Sequence, residues 1–329
     1  LMEQLTPLEL GSSTGAMINN VGKVKNTGIE ISLNTVNIKI KNFYWSTTFS
    51  FAKNKNEILE LNGGKEDLVA NKWFIGQPID VIYDYEYAGV CTAEEAKNYA
   101  MNDAIKTKFI EGEMKLKDQQ QPGEEGYGVI DENDLVVLGH ALPNWTGSLT
   151  SNMTYKNFDF SFSIYTKQGG MVESPFMAEF TNYKDRGRNK LKMDYYIPAG
   201  TPVLNADGSG YTLITEAHYG SYPYPTNTAS NNYGGGLGWG TDKQTTYVGN
   251  SYVDNSYVRV KNITLGYSFS QKLLSKIGVD YLRLYINVLN PFTFTSYKGF
   301  DPEWADAELS DGTGGPSTRT YQIGINLKF

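Results

Sequence analysis

The sequence predicts an all-β fold: a transmembrane antiparallel β-barrel with long extracellular loops, of which this chain supplies the C-terminal part. Three observations carry that expectation. Segments of about ten residues alternate apolar and polar side chains with period two, which marks a strand with one apolar and one polar face. Short and long connections alternate strictly along the chain, as they do in outer-membrane barrels with short periplasmic turns and long outer loops. Aromatic residues gather beside the short turns, and the last residue is Phe329.

The strands follow in order. Near 27–38, GIEISL sets Ile29, Ile31 and Leu33 against Glu30 and Ser32. Near 43–54, FYWSTTFSF sets Phe43, Trp45, Phe49 and Phe51 against Ser46, Thr48 and Ser50. Near 144–156, Trp145, Leu149, Met153 and Tyr155 alternate with Thr146, Ser148, Thr150, Asn152 and Thr154. Near 157–168, Phe158, Phe160, Phe162 and Ile164 alternate with Asp159, Ser161 and Ser163. Near 256–270 the apolar set is Ile263, Leu265, Tyr267 and Phe269; near 280–292 it is Leu282, Leu284, Ile286 and Val288. Near 319–329, TYQIGINLKF places Tyr321, Ile323, Ile325, Leu327 and Phe329 at every second position. None of these apolar faces carries a charge. A lysine or arginine facing lipid at mid-bilayer costs roughly 2–4 kcal/mol.

Two connections are very short, around Lys41-Asn42 and Lys156-Asn157, and SQKLLSKIGVD reads as a modest helical turn. Those running roughly 54–143, 169–255 and 293–318 are long. Phe43, Tyr155, Phe158, Phe269 and Phe329 then fall at one level, as an interfacial aromatic girdle would. Ordinary β-propensity explains any one of them; the loop alternation and the terminal aromatic favour the membrane. If the last strand ends in the periplasm, seven strands place the start of the chain outside, with Leu1 to Thr6 as the stump of an eighth. LMEQLTPLEL shows neither a basic n-region nor an apolar h-region. The expectation is a piece of a larger barrel, with further segments upstream.

Composition narrows the function. The chain has 329 residues, 20% of them charged, with a net charge of −7; nucleic acid is not an expected partner. Mean hydropathy is −0.42, which half-polar barrel strands allow. Cys91 is the single cysteine, so no internal disulfide can form, and His140 and His218 are the only histidines. YGGGLGWG lacks the lysine and the strand-to-helix context of a phosphate loop. Glu94-Glu95 reads as a helix start capped by Thr92. Asp301, Glu303, Asp306 and Glu308 read as solvated loop charges, with a bound cation as the alternative. No nucleophile–base arrangement can be argued, and the chain is not expected to be an enzyme.

Several stretches in series resemble the C-terminal barrel of the SusC/RagA family of TonB-dependent transporters. They include NVGKVKNTGIEISL, GQPIDVIYDYEYAGV, DENDLVVLGHALPNWTGSL, YKNFDFSFSIY, YVDNSYVRVKNITLGYSF, NVLNPFTFTSYKGFDPE and RTYQIGINLKF. The resemblance implies a plugged barrel of about 22 strands that imports a nutrient, an oligosaccharide or a peptide, across the outer membrane. It implies a SusD-like surface lipoprotein as a lid, the TonB-ExbB-ExbD complex as energy source through an upstream TonB box and plug, and a dimer of transporter–lid pairs. The barrel-assembly machinery would read Tyr321 and Phe329 on the closing strand. No cofactor is implied. A siderophore or cobalamin receptor, and a soluble β-sandwich that binds carbohydrate, are the alternative readings.

Two further expectations follow. The family's calcium-like acidic loop would fall on QPGEEGYGVIDEND, where Gly123, Glu125 and Tyr127 take ligand positions and only Glu125 and Asp134 supply carboxylates. Calcium takes six to eight oxygens, so that site is expected to be lost or weak. The long 169–255 connection is expected to meet substrate and lid. It holds Tyr183, Tyr195, Tyr196, Tyr219, Tyr222, Tyr224, Tyr233 and Trp239, with Arg186 and Arg188. Arg186, Tyr233 and Trp239 are the candidate substrate contacts; packing of the loop on itself or on the lid is the alternative for any one residue.

Overall fold

A computed structural model of the chain describes residues 2–5, 16–19, 22–98, 101–102, 107–108, 111–112, 114–177, 192–223, 252–306 and 315–329. Seven strands form one antiparallel sheet. They are β1 (Lys23–Ile40), β2 (Phe43–Glu60), β3 (Trp145–Tyr155), β4 (Phe158–Gln168), β5 (Tyr257–Ser268), β6 (Tyr281–Thr295) and β7 (Thr320–Lys328). Each strand pairs with its sequence neighbour, so the sheet is an unbroken meander with β1 and β7 at its edges. The sheet is open. Upstream, Met2–Leu5 pairs antiparallel with Ala16–Asn19.

The period-two pattern sets the register. One row of partners crosses all seven strands: Ile38, Trp45, Met153, Phe160, Leu265, Ile286 and Ile323. The row nearer the short turns is Ile40, Phe43, Tyr155, Phe158, Tyr267, Leu284 and Ile325. On the other side lie Thr47, Ser151, Phe162, Ile263, Val288 and Tyr321. Beyond them come Leu33, Phe49, Leu149, Ile164, Val260 and Phe292. A fifth row runs Ile31, Phe51, Gly147, Thr166, Val258 and Phe294. The Trp45 indole N–H donates to Ser151 Oγ at 2.9 Å, so the serine on this face is satisfied. No residue in the five rows is charged.

This apolar face is uncovered. Ile286 is 52% exposed, Leu265 49% and Ile323 83%. A soluble sandwich would bury such a face against a second sheet. The buried apolar residues lie instead mostly among the connections: Val81, Val90, Cys91, Leu116, Ile130, Val172, Phe176, Met177, Tyr297 and Ala305.

The opposite face is a polar ladder. Thr48 bonds Asn34, Thr150 bonds Ser163, Thr264 bonds Asn287 and Asn287 bonds Gln322. Near the short turns, Arg283 pairs with Asp159 across β5. Gly266 makes room for that pair, since a Cβ there would collide with both side chains.

The two short turns are Lys41-Asn42 and Lys156-Asn157, and the Lys156 amide donates to Asn42 O at 2.9 Å. Between β5 and β6 the expected helical turn is present as Gln271–Leu274 followed by Ser275–Ile277, and it ends on Gly278 at φ 70°. At the other end of the sheet stand all three long connections. Strand ends differ from the alternation there. β1 and β2 reach Lys23 and Glu60, past the expected 27 and 54, because main-chain pairing continues through Lys25↔Glu57 after the apolar pattern has stopped.

Candidate functional site: the inner wall and the loops above it

Two rows of the polar face lie closest to the long connections. One runs Ser32, Ser50, Ser148, Tyr165, Arg259 and Thr293; the next runs Glu30, Ala52, Thr146, Lys167, Tyr257 and Thr295. They border a concavity of 490 Å³ lined by Glu30, Ser32, Ser50, Thr146, Ser148 and Tyr165 among others. Strand periodicity places these hydroxyls on one surface, because each occupies the position opposite a lipid-type neighbour. Hydroxyls donate and accept, and a tyrosine ring offers a flat apolar face. The surface can bind a hydroxylated or amide-rich ligand.

Arg259 is the hub of this end. Its side chain is 2% exposed and so is that of Asp301. One guanidinium nitrogen reaches Asp301 Oδ1 at 2.5 Å, another meets Glu303, and Nε donates to Thr293 Oγ1 at 3.0 Å. The guanidinium lies 5.1 Å from the Tyr257 ring centre. Lys261 bonds Glu303 at 3.1 Å and sits over Tyr165. Asp301 also accepts from the Glu303 amide, capping the turn Pro302–Trp304. Burial would raise the Asp301 carboxyl, but hydrogen bonds from Ser317, the Glu303 amide and Arg259, together with the Arg259 charge, hold it below its ordinary value. Asp301 is therefore not the solvated loop charge expected from the sequence, and Glu303, though exposed, is held in two ion pairs. They fasten the last long connection to the sheet.

A small apolar core joins that connection to the start of the 169–255 one. Val172, Phe176, Met177, Tyr297 and Ala305 pack together, and Phe176 meets Phe300 at 4.6 Å between ring centres. Ser174 Oγ and Tyr297 OH are 2.8 Å apart.

The expected contacts Arg186, Tyr233 and Trp239 lie outside the described residues, as do Tyr183, Arg188 and Tyr224. Four of the tyrosines named from the sequence, Tyr195, Tyr196, Tyr219 and Tyr222, are described and contact other protein groups. Tyr195 bridges to Tyr222. The Tyr196 and Tyr219 rings meet at 5.4 Å between centres, tilted by 45°, and both hydroxyls donate to Glu111 Oε1, at 2.9 and 2.6 Å. Glu111 belongs to the first long connection, so the two loops are tied together. Tyr321 and Phe329 stand on the outward side of β7, 69% and 80% exposed.

Two acidic motifs have structural work. Thr92 and Glu95 cap each other at the start of Glu95–Asn98, and Lys115 pairs with Glu95 at 2.6 Å. In the acidic loop, Asp134 is buried and accepts from the Gln119 and Asp131 amides. Asp118 accepts from the Gly128 and Gln120 amides. With the Gln120 amide in the orientation that satisfies both its ends, its nitrogen lies 2.9 Å from Asp134 Oδ1 and from Asp118 Oδ1.

With the geometry in place, comparison with known proteins locates the chain. No protein-family model matches it. TonB-dependent receptor P3 of Formosa agariphila is 29% identical over 351 residues, covering 98% of this chain and 30% of the receptor. TonB-dependent receptor SusC of Bacteroides thetaiotaomicron is 28% identical over 321 residues, covering 95% of this chain and 27% of SusC. The chain is a relative of the SusC-type TonB-dependent receptors. The fold agrees: the solved RagAB peptide transporter superposes with a TM-score of 0.62 at 21% identity, over 98% of this chain and 31% of the transporter chain. The relatives are receptors and transporters rather than enzymes, and the chain spans about 30% of the length of the first of them.

Proposed function

We propose that this chain forms the C-terminal wall of an outer-membrane importer driven through TonB. Its outward face meets lipid, and its inner face meets an upstream plug and the passing substrate. The observation that carries the reading is the uncovered, uncharged set of five apolar rows, with a hydrogen-bonded polar ladder on the opposite face. Lipid is the solvent in which that alternation is stable. The long connections then lie outside the cell. A SusD-like lipoprotein would cover them, and the substrate, an oligosaccharide or a peptide, would pass the hydroxyl-lined concavity and the Arg259 region. The barrel-assembly machinery would insert the whole barrel, with β7 paired along both edges.

The test is genetic. A strain lacking the full-length receptor is supplied with single glycans or peptide mixtures as sole carbon source, and the lipoprotein neighbour is followed by co-purification. Loss of growth on one polymer class, restored by the receptor, names the substrate. Normal growth on both classes with loss of iron or cobalamin uptake would move the protein to the siderophore or cobalamin reading.

A further inference from the structure

Two lysines stand on the outward face just above the apolar rows. In β2, Lys53 follows Phe51 on the same face and Lys55 follows Lys53. β1 sets Ile29 beside Lys53 and Thr27 beside Lys55, and Lys25 faces Glu57 further out. Ile29 is the last apolar residue of β1 on that face before the charges begin. From Ile40 to Ile29 the strand rises about 37 Å. At a tilt of about 40° this spans about 28 Å of membrane, close to the roughly 25 Å apolar band of such barrels. The lysines start where the band ends, on the side of the long connections.

Beside them is a cavity of 460 Å³, bordered by Lys53, Asn54, Lys55, Gln77, His140 and Asn144 among others. It opens where β3 parts from β2, whose pairing ends at Ala52↔Thr146. Lys55 lies 3.3 Å from Glu57. Lys53 is exposed and has no carboxylate partner among the described residues. Lys53 and Lys55 border this hollow together with Gln77, His140 and Asn144, in a chain whose net charge is −7.

We propose that this hollow takes the phosphate-bearing sugar headgroup of an outer-leaflet glycolipid, with Lys53 as its main phosphate contact and Lys55 as its second. The proposal rests on the membrane reading above. Ammonium–phosphate hydrogen bonds are charge-assisted, and side-chain amides such as those of Gln77 and Asn144 can each donate to and accept from sugar hydroxyls. The level of the hollow selects a lipid over a free anion, because acyl chains hanging from the headgroup would lie along the apolar rows of β1 and β2.

The experiment uses the full-length receptor in detergent and native mass spectrometry. The probes are a phosphorylated lipid A-type glycolipid, the same glycolipid without phosphate, and inorganic phosphate. The wild type should prefer the phosphorylated form. The double variant K53A/K55A should lose about tenfold of that preference, and K53R/K55R should keep most of it. An unchanged preference in K53A/K55A, or none in the wild type, overturns the site. Displacement of the glycolipid by an equal concentration of inorganic phosphate would assign the hollow to a free anion and overturn the lipid source. Solubility of the full-length receptor without detergent, measured first, would overturn the membrane reading and this proposal with it.

Discussion

Arg259 and Asp301 meet at 2.5 Å with both side chains almost wholly buried, and they join strand β5 to the last long connection. Removing Arg259 leaves Asp301 buried without its counter-ion, and removing Asp301 leaves Arg259 with Glu303 alone; breaking a buried pair costs about 3–5 kcal/mol. Arg259→Ala and Asp301→Asn should therefore each release the segment from 296 to 319 in the full-length receptor. Limited proteolysis would detect the cut there. The double change R259M/D301L should be less damaging than R259A, because it leaves no lone charge. Protease resistance of R259A equal to the wild type would show that the latch holds nothing.

The same latch should be sensitive to acid. The Asp301 carboxyl titrates below its ordinary value in the folded protein. For a carboxyl depressed by folding, the stabilisation is present above the unfolded value and is lost as pH falls through the folded one. Protection of the 296–319 segment should thus be flat around neutrality and fall only once pH drops below the usual carboxylate range, near 4. Hydrogen exchange of that segment against pH measures it. In Asp301→Asn the acid-dependent step should disappear, and its persistence there would assign the titration to another group.

The sheet was legible in the sequence because period two is strong wherever one face meets an apolar medium. Phe158 to Ile164 shows it within a few residues. The pattern fails at the outer ends of β1 and β2, where Lys25, Lys53 and Lys55 replace the apolar set while main-chain pairing continues. Periodicity is equally silent on register shifts such as the one between Val260 and Asn262. Arg259 escaped notice because one arginine on a polar face looks solvated. Its partners sit more than forty positions away, and only the cluster Asp301 and Glu303 hinted that a buried cation was needed. Tyr195, Tyr196, Tyr219 and Tyr222 were visible as an aromatic group, but no local rule says whether such rings face ligand or one another.

Phe329 should govern assembly rather than transport. β7 pairs with β6 along one edge, and its other edge has no partner strand among the described residues. An open edge in lipid leaves backbone groups unsatisfied, so this edge needs a partner strand in the whole receptor. Deleting Phe329 in the full-length receptor should lower the amount found in the outer membrane. Uptake per inserted molecule should stay normal. Wild-type abundance with reduced uptake would contradict an assembly role.

The two faces of one strand give the sharpest test of the membrane reading. Phe162 lies in the middle of the five apolar rows, and Ser161 next to it points to the polar ladder beside Asn152 and Thr264. A lysine facing lipid at that depth costs roughly 2–4 kcal/mol. Phe162→Lys should therefore cut the folded, heat-modifiable receptor in the outer membrane many-fold. Ser161→Lys puts the same charge one residue away on the wall facing the lumen, where neighbouring amides and hydroxyls can solvate it, and should leave most of the receptor assembled. A soluble sandwich would also punish F162K, yet it would assemble without detergent. The pair is therefore read in outer-membrane fractions by gel migration with and without heating. Equal losses for the two variants would mean that the faces do not meet different solvents, and the barrel reading would fall.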